Sequence, residues 1–140
     1  MPDKKINRKI AVIFATDVVG YSKHMEANES ETILNLRECE SILTGLFSKY
    51  EGRLFNKGGD SFLAEFPSAV SAVECAVEFQ NAIKERNSND DPSVKLDFRI
   101  GINSGDVVIE NENLLGDGVN IAARLEALSQ TGGVTISKSI

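Results

Sequence analysis

Apolar and polar residues follow one another in blocks that predict a domain of mixed α and β structure. The first apolar block, residues 10–15, is short and rich in β-branched residues, which is typical of a strand buried on both faces. In two longer blocks the apolar residues recur every three or four positions, which predicts amphipathic helices that Ser30 and Ser68 would cap. The predicted elements are a strand over 10–15, a helical turn over 21–28, a helix over 31–50, strands over 53–56 and 62–66, a helix over 69–86, strands over 94–103 and 107–110, a helix over 119–129 and a strand over 134–137.

The turns between the predicted strands are marked by glycine. The turn over 57–61 joins two strands into a β-hairpin with Asp60 at or near its tip. A second turn is expected at Ser104-Gly105, after which residues 107–110 would pair back on the strand before it. The chain therefore predicts two antiparallel strand pairs.

The order of these elements predicts the fold class. Strand, helix, two strands, helix and strand form a βαββαβ core, which predicts a ferredoxin-like α+β fold with helices packed on one face of an antiparallel sheet. The short strand, the third helix and the last strand are additions to that core. In this layout Asp17 and the hairpin with Asp60 fall on adjacent strands. Residues 1–8 are predicted to be a flexible polar lead before a single domain over 9–140.

Length and charge limit the kind of partner that the chain can have. At 140 residues and a formal net charge of −6, it is expected to be one domain that does not bind a nucleic-acid polymer, although a mononucleotide stays open. Cys39 and Cys75 lie on predicted helices without the spacing of a zinc site, and indicate buried thiols in a reducing compartment. With neither a signal peptide nor a membrane-spanning run, the chain is predicted to be cytoplasmic, or the cytoplasmic part of a larger protein, without direct membrane insertion.

Asp17 and Asp60 are the residues that first suggest chemistry. Alone, Asp17 is better explained as a cap or turn residue, and Asp60 is explained as well by a turn as by a metal site. On adjacent strands, however, two carboxylates can hold a pair of divalent ions that clamp a triphosphate. Mg²⁺ is the expected ion, because few carboxylates together with substrate phosphates complete its octahedron, and the backbone carbonyl of Val18 could add one more oxygen.

Four stretches of the chain resemble a known family. They read FATDVVGYS over 14–22, GDSFLAEF over 59–66, FRIGINSGD over 98–106 and LGDGVNIAARL over 115–125. In this order they resemble the class III nucleotide cyclases, the adenylyl and guanylyl cyclase catalytic domains, and the last stretch is the most specific of the four. The resemblance spans nearly the whole chain. It implies an enzyme of intracellular signalling that converts ATP to 3′,5′-cyclic AMP and pyrophosphate.

The resemblance also implies roles for particular residues. Asp17 and Asp60 match the metal ligands of the family, which hold two Mg²⁺ or Mn²⁺ ions per site. Asn120 matches the residue that orients the ribose, Arg124 the residue that stabilises charge on the α-phosphoryl group, and Arg99 a phosphate-contacting arginine. A planar, permanently charged guanidinium suits that developing charge better than a lysine does.

The resemblance further implies a head-to-tail homodimer with composite active sites. Asp17 and Asp60 of one chain would face Asn120 and Arg124 of the other. Taken alone, Asn120 and Arg124 are better explained as a polar pair, four residues apart, on a solvated helix face. Family members continue past the last strand with a strand pair that supplies a phosphate-binding lysine. The chain is therefore expected to be a fragment of the cyclase domain that lacks this pair.

Base selection is where the chain departs from the family. An adenine-selecting member carries Lys and Asp at the positions of Asn56 and Asn113, and Lys57 would point to the opposite face of its strand. An amide both donates and accepts hydrogen bonds, so it suits either purine. Neither position has the acid that would meet the donors of guanine. This favours ATP and leaves GTP, or mixed selectivity, as the alternative.

Two rival functions fit parts of the sequence. Residues 58–62, GGDSF, resemble the hairpin of the diguanylate cyclases, but Ser61 stands where that family has an acid, and the helix over 119–129 has no counterpart there. A catalytically weak cyclase-like domain that binds a nucleotide or regulates a partner is favoured by Asn56 and Asn113. Release of pyrophosphate from ATP or GTP separates the enzyme from the binding domain.

Overall fold

Strand β1 (Asn7–Val18) lies at the centre of the sheet, and the predicted burial on both faces holds from Ala11 to Ala15 but not for Ile10, which is 71% exposed. The computed structural model describes residues 6–140. Within them the elements are, in chain order, β1, α1 (Tyr21–Ala27), α2 (Glu29–Lys49), β2 (Arg53–Gly58), β3 (Ser61–Phe66), α3 (Ala69–Ser88), β4 (Phe98–Glu110), β5 (Asn113–Leu115), α4 (Asp117–Leu128) and β6 (Val134–Ile136). The strands lie in the order β2-β3-β1-β4-β5, and β6 runs parallel to β4 beside it. The predicted α+β class is confirmed, with the βαββαβ order in β1, α2, β2, β3, α3 and β4.

Helices α2 and α3 pack on one face of the sheet over a large apolar cluster. Aromatic rings form part of its interior, and the ring centroids of Phe14 and Phe47 are 5.3 Å apart. As predicted, Cys39 and Cys75 are buried free thiols on the two helices. Burial raises the pKa of Cys39 to about 11 and that of Cys75 to about 12. These thiols are therefore protonated packing groups rather than nucleophiles.

Helix α4 packs on the opposite face, so the expectation that the helices share one face holds only for α2 and α3. The apolar cluster beneath α4 is smaller than the one under α2 and α3. Gly101 of β4 lies directly under the helix, where an added Cβ would overlap the backbone at Ala122 and Glu126. Gly118 of α4 faces the strand in the same way, with the carbonyl oxygen of Asp106 2.6 Å from where its Cβ would be. The two glycines let α4 and β4 touch backbone to backbone.

Strand β4 runs without a break through Ser104 and Gly105, so the predicted turn there is wrong. Residues 98–109 of β4 pair with β1 in one register along the whole of β1. Gly105 is explained by packing instead, because a Cβ there would lie only 3.0 Å from the side-chain nitrogen of Asn103, which donates to the carbonyl oxygen of Gly118 in α4. The chain turns farther on, at Asn111, whose φ is 59°, and the returning strand is β5 rather than 107–110.

The ends of some elements differ from the prediction for local reasons. Asn28 rather than Ser30 caps α2, since its side chain accepts a hydrogen bond from a backbone N–H of the first turn at 3.1 Å. Ser68 caps α3 as predicted. Strand β1 begins at Asn7, so the last two residues of the predicted flexible lead belong to the sheet, and residues 1–5 of that lead lie outside the described residues. None of the helices within residues 6–140 is long and apolar enough to cross a membrane.

Candidate active site

The end of β1 brings Asp17 to the face of the sheet that α4 covers. Side chains alternate along a strand, so Asp17 lies on the same face as the small apolar residues of β1 beneath α4. Asp60 lies in the two-residue turn between β2 and β3, next to the first residue of β3. Strand β3 starts beside the end of β1 in an antiparallel ladder. The prediction that Asp17 and the hairpin with Asp60 lie on adjacent strands is confirmed.

The Asp17 carboxylate is close enough to Asp60 to affect the pKa of Asp60. Burial raises the pKa of Asp60 above its ordinary value, and the negative charge of Asp17 raises it further. Hydrogen bonds from the backbone of Asp60 and Val18, and the charge of Arg99, oppose this rise. Two like charges held together at a partly buried position favour a cation between them.

Arg99 joins β4 to two neighbouring carboxylates. It stands directly opposite Asp17 in the β1–β4 ladder, and its Nη2 lies 3.2 Å from Asp17 Oδ2. The same Nη2 lies 3.4 Å from Glu126 Oε2, and Nη1 donates to the carbonyl oxygen of Ala127 at 3.1 Å. The guanidinium is therefore occupied by oxygens of the protein itself. A contact between Arg99 and a phosphate, which the resemblance implies, stays a prediction.

Glu126 is the member of this cluster that the sequence reasoning missed. It lies in the buried stripe of α4 with Val119 and Ala122, and it is only 7% exposed. Burial, a hydrogen bond with Asp17 and the charge of that carboxylate raise the pKa of Glu126 to about 8, while the charge of Arg99 opposes the rise. Glu126 lies four residues beyond Ala122, in phase with the buried positions of the helix. This spacing is the sequence signal that could have identified Glu126.

The donor atoms of Asp17 and Asp60 fit a hard divalent cation. Carboxylate oxygens are ligands that Mg²⁺ and Mn²⁺ prefer, and Mg²⁺ needs only one or two carboxylates when phosphates and water complete its shell. In the part of the chain that the structure describes, no group of three or more His, Cys, Asp or Glu side chains is arranged to hold a metal ion. A phosphate-bearing substrate would have to supply the remaining oxygens. The Val18 carbonyl as a ligand, and the presence of two ions, stay predictions.

Asn120 and Arg124 lie on the side of α4 that is turned away from the sheet. At about 100° per residue, each is about 160° around the helix from Ala122, which is fully buried. Both residues are exposed. The structure brings Asn120 and Arg124 onto one helix face, but it does not bring them together with Asp17 and Asp60 of the same chain.

Asn56 and Asn113 line one surface pocket of about 520 Å³, although they come from strands at opposite ends of the sheet order. The Oδ1 of Asn113 accepts a hydrogen bond from the N–H of Leu114 at 3.0 Å, so one acceptor of that amide is engaged. Lys57 points to the other face, as strand alternation predicts, and its Nζ lies 2.8 Å from Glu40 of α2. The structure thus brings the two asparagines together, and their role in base recognition stays a prediction.

Comparison with known proteins identifies similar chains. A family model described as the adenylate and guanylate cyclase catalytic domain matches residues 3–140. The putative adenylate cyclase 3 of Rhizobium meliloti is 43% identical over 141 residues, which cover 100% of this chain and 24% of that protein. The adenylate cyclase of Streptomyces coelicolor is 29% identical, with 96% of this chain and 34% of that protein covered. The chain therefore spans about a quarter to a third of the length of these relatives.

Solved structures give the same picture of the fold. The crystal structure of an adenylate/guanylate cyclase/hydrolase from Silicibacter pomeroyi matches with a TM-score of 0.84 at 36% identity, covering 96% of this chain and 78% of that chain. The guanylyl cyclase Cya2 matches with a TM-score of 0.83 at 27% identity, covering 94% of this chain and 76% of that one. The names of these similar proteins include both adenylate and guanylyl cyclases, so the similarity alone does not show which base this chain would bind.

Proposed function

Because the chain belongs to the adenylate and guanylate cyclase catalytic domain family, we propose that it converts ATP to 3′,5′-cyclic AMP and pyrophosphate. The observation that carries this proposal is the pair of neighbouring carboxylates, Asp17 near the end of β1 and Asp60 in the turn that leads into the adjacent strand β3. In the reaction the ribose 3′-oxygen forms a bond to the α-phosphorus, and the bond from that phosphorus to the pyrophosphate oxygen breaks. The proton of the hydroxyl is released to water.

In this proposal Asp17 and Asp60, with the Val18 carbonyl, hold two Mg²⁺ or Mn²⁺ ions. Ions bound there would acidify the ribose 3′-hydroxyl and neutralise charge on the polyphosphate. Arg99 fixes the direction of the Asp17 carboxylate, because its Nη2 donates to the two carboxylate oxygens at 3.3 and 3.2 Å. The Asp17 carboxylate is therefore oriented before a metal ion arrives, which favours binding of the ion.

A second copy of the chain completes the site in this proposal. Asn120 orients the ribose, and Arg124 stabilises the charge that grows on the α-phosphoryl group. Both side chains point away from their own sheet, so they can meet only the Asp17 and Asp60 of another chain. Two-fold symmetry in a head-to-tail homodimer then generates two equivalent sites. The exposed Leu128 on the same helix, at 78% exposure, supports such an interface, because dimerisation would bury it.

Adenine is the base that we propose, with a modest preference over guanine. Asn56 and Asn113 border the pocket with amides, which can pair with either purine and carry no charge. Guanylate cyclase activity, or mixed selectivity, is the second candidate. It is favoured by Glu110 and Glu112, which line the same pocket and could accept hydrogen bonds from guanine. The cytoplasm is the setting that we propose for either activity, which the two free thiols support.

Product analysis with ATP and with GTP, in Mg²⁺ and in Mn²⁺, tests the proposal. The wild-type protein should form cyclic AMP and less cyclic GMP, with one pyrophosphate per cyclic product. Asp17→Ala and Asp60→Ala should each lower the rate roughly 100-fold or more. Asp106→Ala is the matched control, because this exposed strand residue pairs with Arg8 at 3.1 Å, and it should keep a near-normal rate.

Two results would count against the proposal. An Asp17→Ala protein that keeps most of its rate would remove the metal role of that carboxylate. Binding of ATP or GTP by the wild-type protein without any release of pyrophosphate would indicate a nucleotide-binding domain rather than an enzyme.

A further inference from the structure

The two walls of the asparagine pocket belong to separate parts of the sheet. Asn56 lies in β2 and Asn113 opens β5, at opposite ends of the strand order β2-β3-β1-β4-β5. The pocket lies between β2 and the turn that joins β4 to β5. Whatever holds these two walls at their separation therefore shapes the pocket.

Arg53 is a side chain that bridges the two walls. Its Nη1 donates to the carbonyl oxygen of Glu112, the neighbour of Asn113, at 2.7 Å. On the β2 side its guanidinium carbon lies 5.9 Å from the centre of the Phe55 ring, next to Asn56 in the chain. One planar group thus contacts the residue beside each of the two asparagines.

Glu65 aims the guanidinium of Arg53. Both Nε and Nη2 of Arg53 donate to Glu65 Oε1, at 3.0 and 2.8 Å, which leaves Nη1 directed at Glu112. The Nζ of Lys9 lies 2.8 Å from Oε2, the other carboxylate oxygen of Glu65. Burial alone would raise the pKa of Glu65, but hydrogen bonds from Lys9 and Arg53 lower it below its ordinary value. The carboxylate therefore stays charged at neutral pH and anchors Arg53.

A bulge in β2 turns the neighbouring residues to the same side. The register between β2 and β3 shifts between Leu54 and Asn56, so Phe55 is the extra residue. Phe55 packs against the cluster on the α4 face, whereas Leu54 packs against the cluster on the α2 and α3 face. Asn56 stands opposite Leu63, which also packs on the α4 face. Phe55 and Asn56 thus share the face on which Arg53 meets Glu65.

We propose that Arg53 is a positioning residue for purine recognition, which holds β2 and the β4–β5 turn at the separation that Asn56 and Asn113 need to read the base. This inference rests on the proposed function and adds a residue outside the four family-like stretches. Arg53 acts through Glu112 and Phe55. A looser pocket costs nucleotide affinity and discrimination between adenine and guanine, because hydrogen-bond recognition depends on where the polar groups stand.

Three variants separate positioning from general stabilisation. Arg53→Ala removes the bridge, and Arg53→Lys keeps the charge without the planar fork that binds Glu65 and Glu112 at once. Lys9→Ala is the matched control, because Lys9 pairs with the same carboxylate at the same 2.8 Å, whereas the hydrogen bond to Glu112 of the β4–β5 turn comes from Arg53. Each protein is measured for kcat and KM with ATP and GTP, for dissociation constants of fluorescent N-methylanthraniloyl ATP and GTP, and for thermal unfolding.

The expected result is a change in binding and selectivity rather than in turnover. Arg53→Ala should raise KM for ATP and weaken binding of the ATP analogue roughly tenfold, with kcat within about threefold of wild type. The ratio of kcat/KM for ATP over GTP should fall roughly threefold or more. Arg53→Lys should recover part of both losses. Lys9→Ala should stay within about twofold of wild type in every readout except thermal unfolding.

Equal effects of Arg53→Ala and Lys9→Ala, or a loss of kcat with KM and selectivity unchanged, would overturn the role of Arg53 and leave the cyclase proposal intact. If the wild-type protein binds nucleotides but forms no cyclic product, the cyclase proposal fails, and the dissociation constants of the variants still decide the role of Arg53. A wild-type protein that binds neither analogue would overturn both.

Discussion

The two faces of the sheet are formed by the same strands, yet they are packed in opposite ways. On the α2 and α3 face, the helices rest on large side chains, and Phe14, Phe79 and Phe98 are at most 1% exposed. On the α4 face, small residues such as Ala15 and Gly101 let the helix backbone lie against β4. A thick apolar layer covers the α2 and α3 face, and a thin one covers the α4 face.

This difference shows where chemistry can be built in the domain. Close backbone contact between α4 and β4 holds polar groups in place near the C-terminal end of α4. There Arg99 contacts both Glu126 and Asp17. Groups fixed on a strand and a packed helix keep their geometry better than groups on a loop. We infer that the α2 and α3 face supplies most of the apolar stabilisation and the α4 face supplies the site. Substitutions on the two faces should therefore have separable effects.

Phe79→Ala should cause the largest loss of stability. The ring is fully buried, and its centroid lies 5.0 Å from that of Phe98 in an edge-on contact. Truncation should lower the free energy of unfolding by about 3–5 kcal/mol, measured by denaturant titration. Because the ring lies on the α2 and α3 face, kcat per folded molecule should stay near wild type. The half-exposed Val77 on the same helix provides the control, since Val77→Ala should change stability by at most about 0.5 kcal/mol.

Gly101→Ala should have a smaller effect on stability and a larger effect on catalysis. The added Cβ would overlap the backbone of α4, so the helix has to move to make room for it. This should lower the free energy of unfolding by about 1–3 kcal/mol. Glu126 moves with that helix, so kcat should fall roughly tenfold or more. Gly45→Ala is the control in open space within α2 and should raise stability by about 0.5–1 kcal/mol. An unchanged kcat in Gly101→Ala would contradict a site supported by the helix–strand contact.

Glu65→Gln should have the smallest effect and should depend on pH. Since the folded-state pKa of Glu65 is lowered, its charge contributes stability above the ordinary pKa of 4.5, and this is lost as pH falls through the folded value. The variant should be less stable than wild type by about 1 kcal/mol at pH 7, and the difference should shrink as pH falls below 4.5. Thermal unfolding across this range measures it. A difference that is constant with pH would mean that the charge of Glu65 is not the cause.

Local patterns predicted most of the fold. Strand β1, the hairpin with Asp60 in its turn, and both long helices with the Ser68 cap depend on residues close in sequence, which periodicity and turn chemistry can read. The predicted turn at Ser104 and Gly105 is wrong because this glycine leaves room for the Asn103 side chain, which donates a hydrogen bond to Gly118 of α4. A local pattern cannot distinguish a glycine that turns the chain from one that leaves room for a neighbouring side chain.

The candidate site was predictable in part for the same reason. Asp17 and Asp60 stand out because one follows an apolar run and the other lies in a hairpin turn, but Glu126 and Arg53 become visible only with their partners. Arg53 meets Glu112 across 59 residues of chain, a pairing that only the folded sheet creates. The roles of Asn120 and Arg124 stay predictions, because the residues that they are proposed to contact lie in another chain.

A mixture of the Asp17→Ala and Arg124→Ala proteins tests the shared site most directly. Each variant alone should be nearly inactive, since every site in its dimer lacks one group. In a mixed dimer one site carries both lesions and the other carries neither. If chains exchange freely, half of an equal mixture is mixed dimer, so activity should return to roughly a quarter of wild type. A mixture that stays inactive, although differently tagged chains are captured together, would mean that each chain builds its own site.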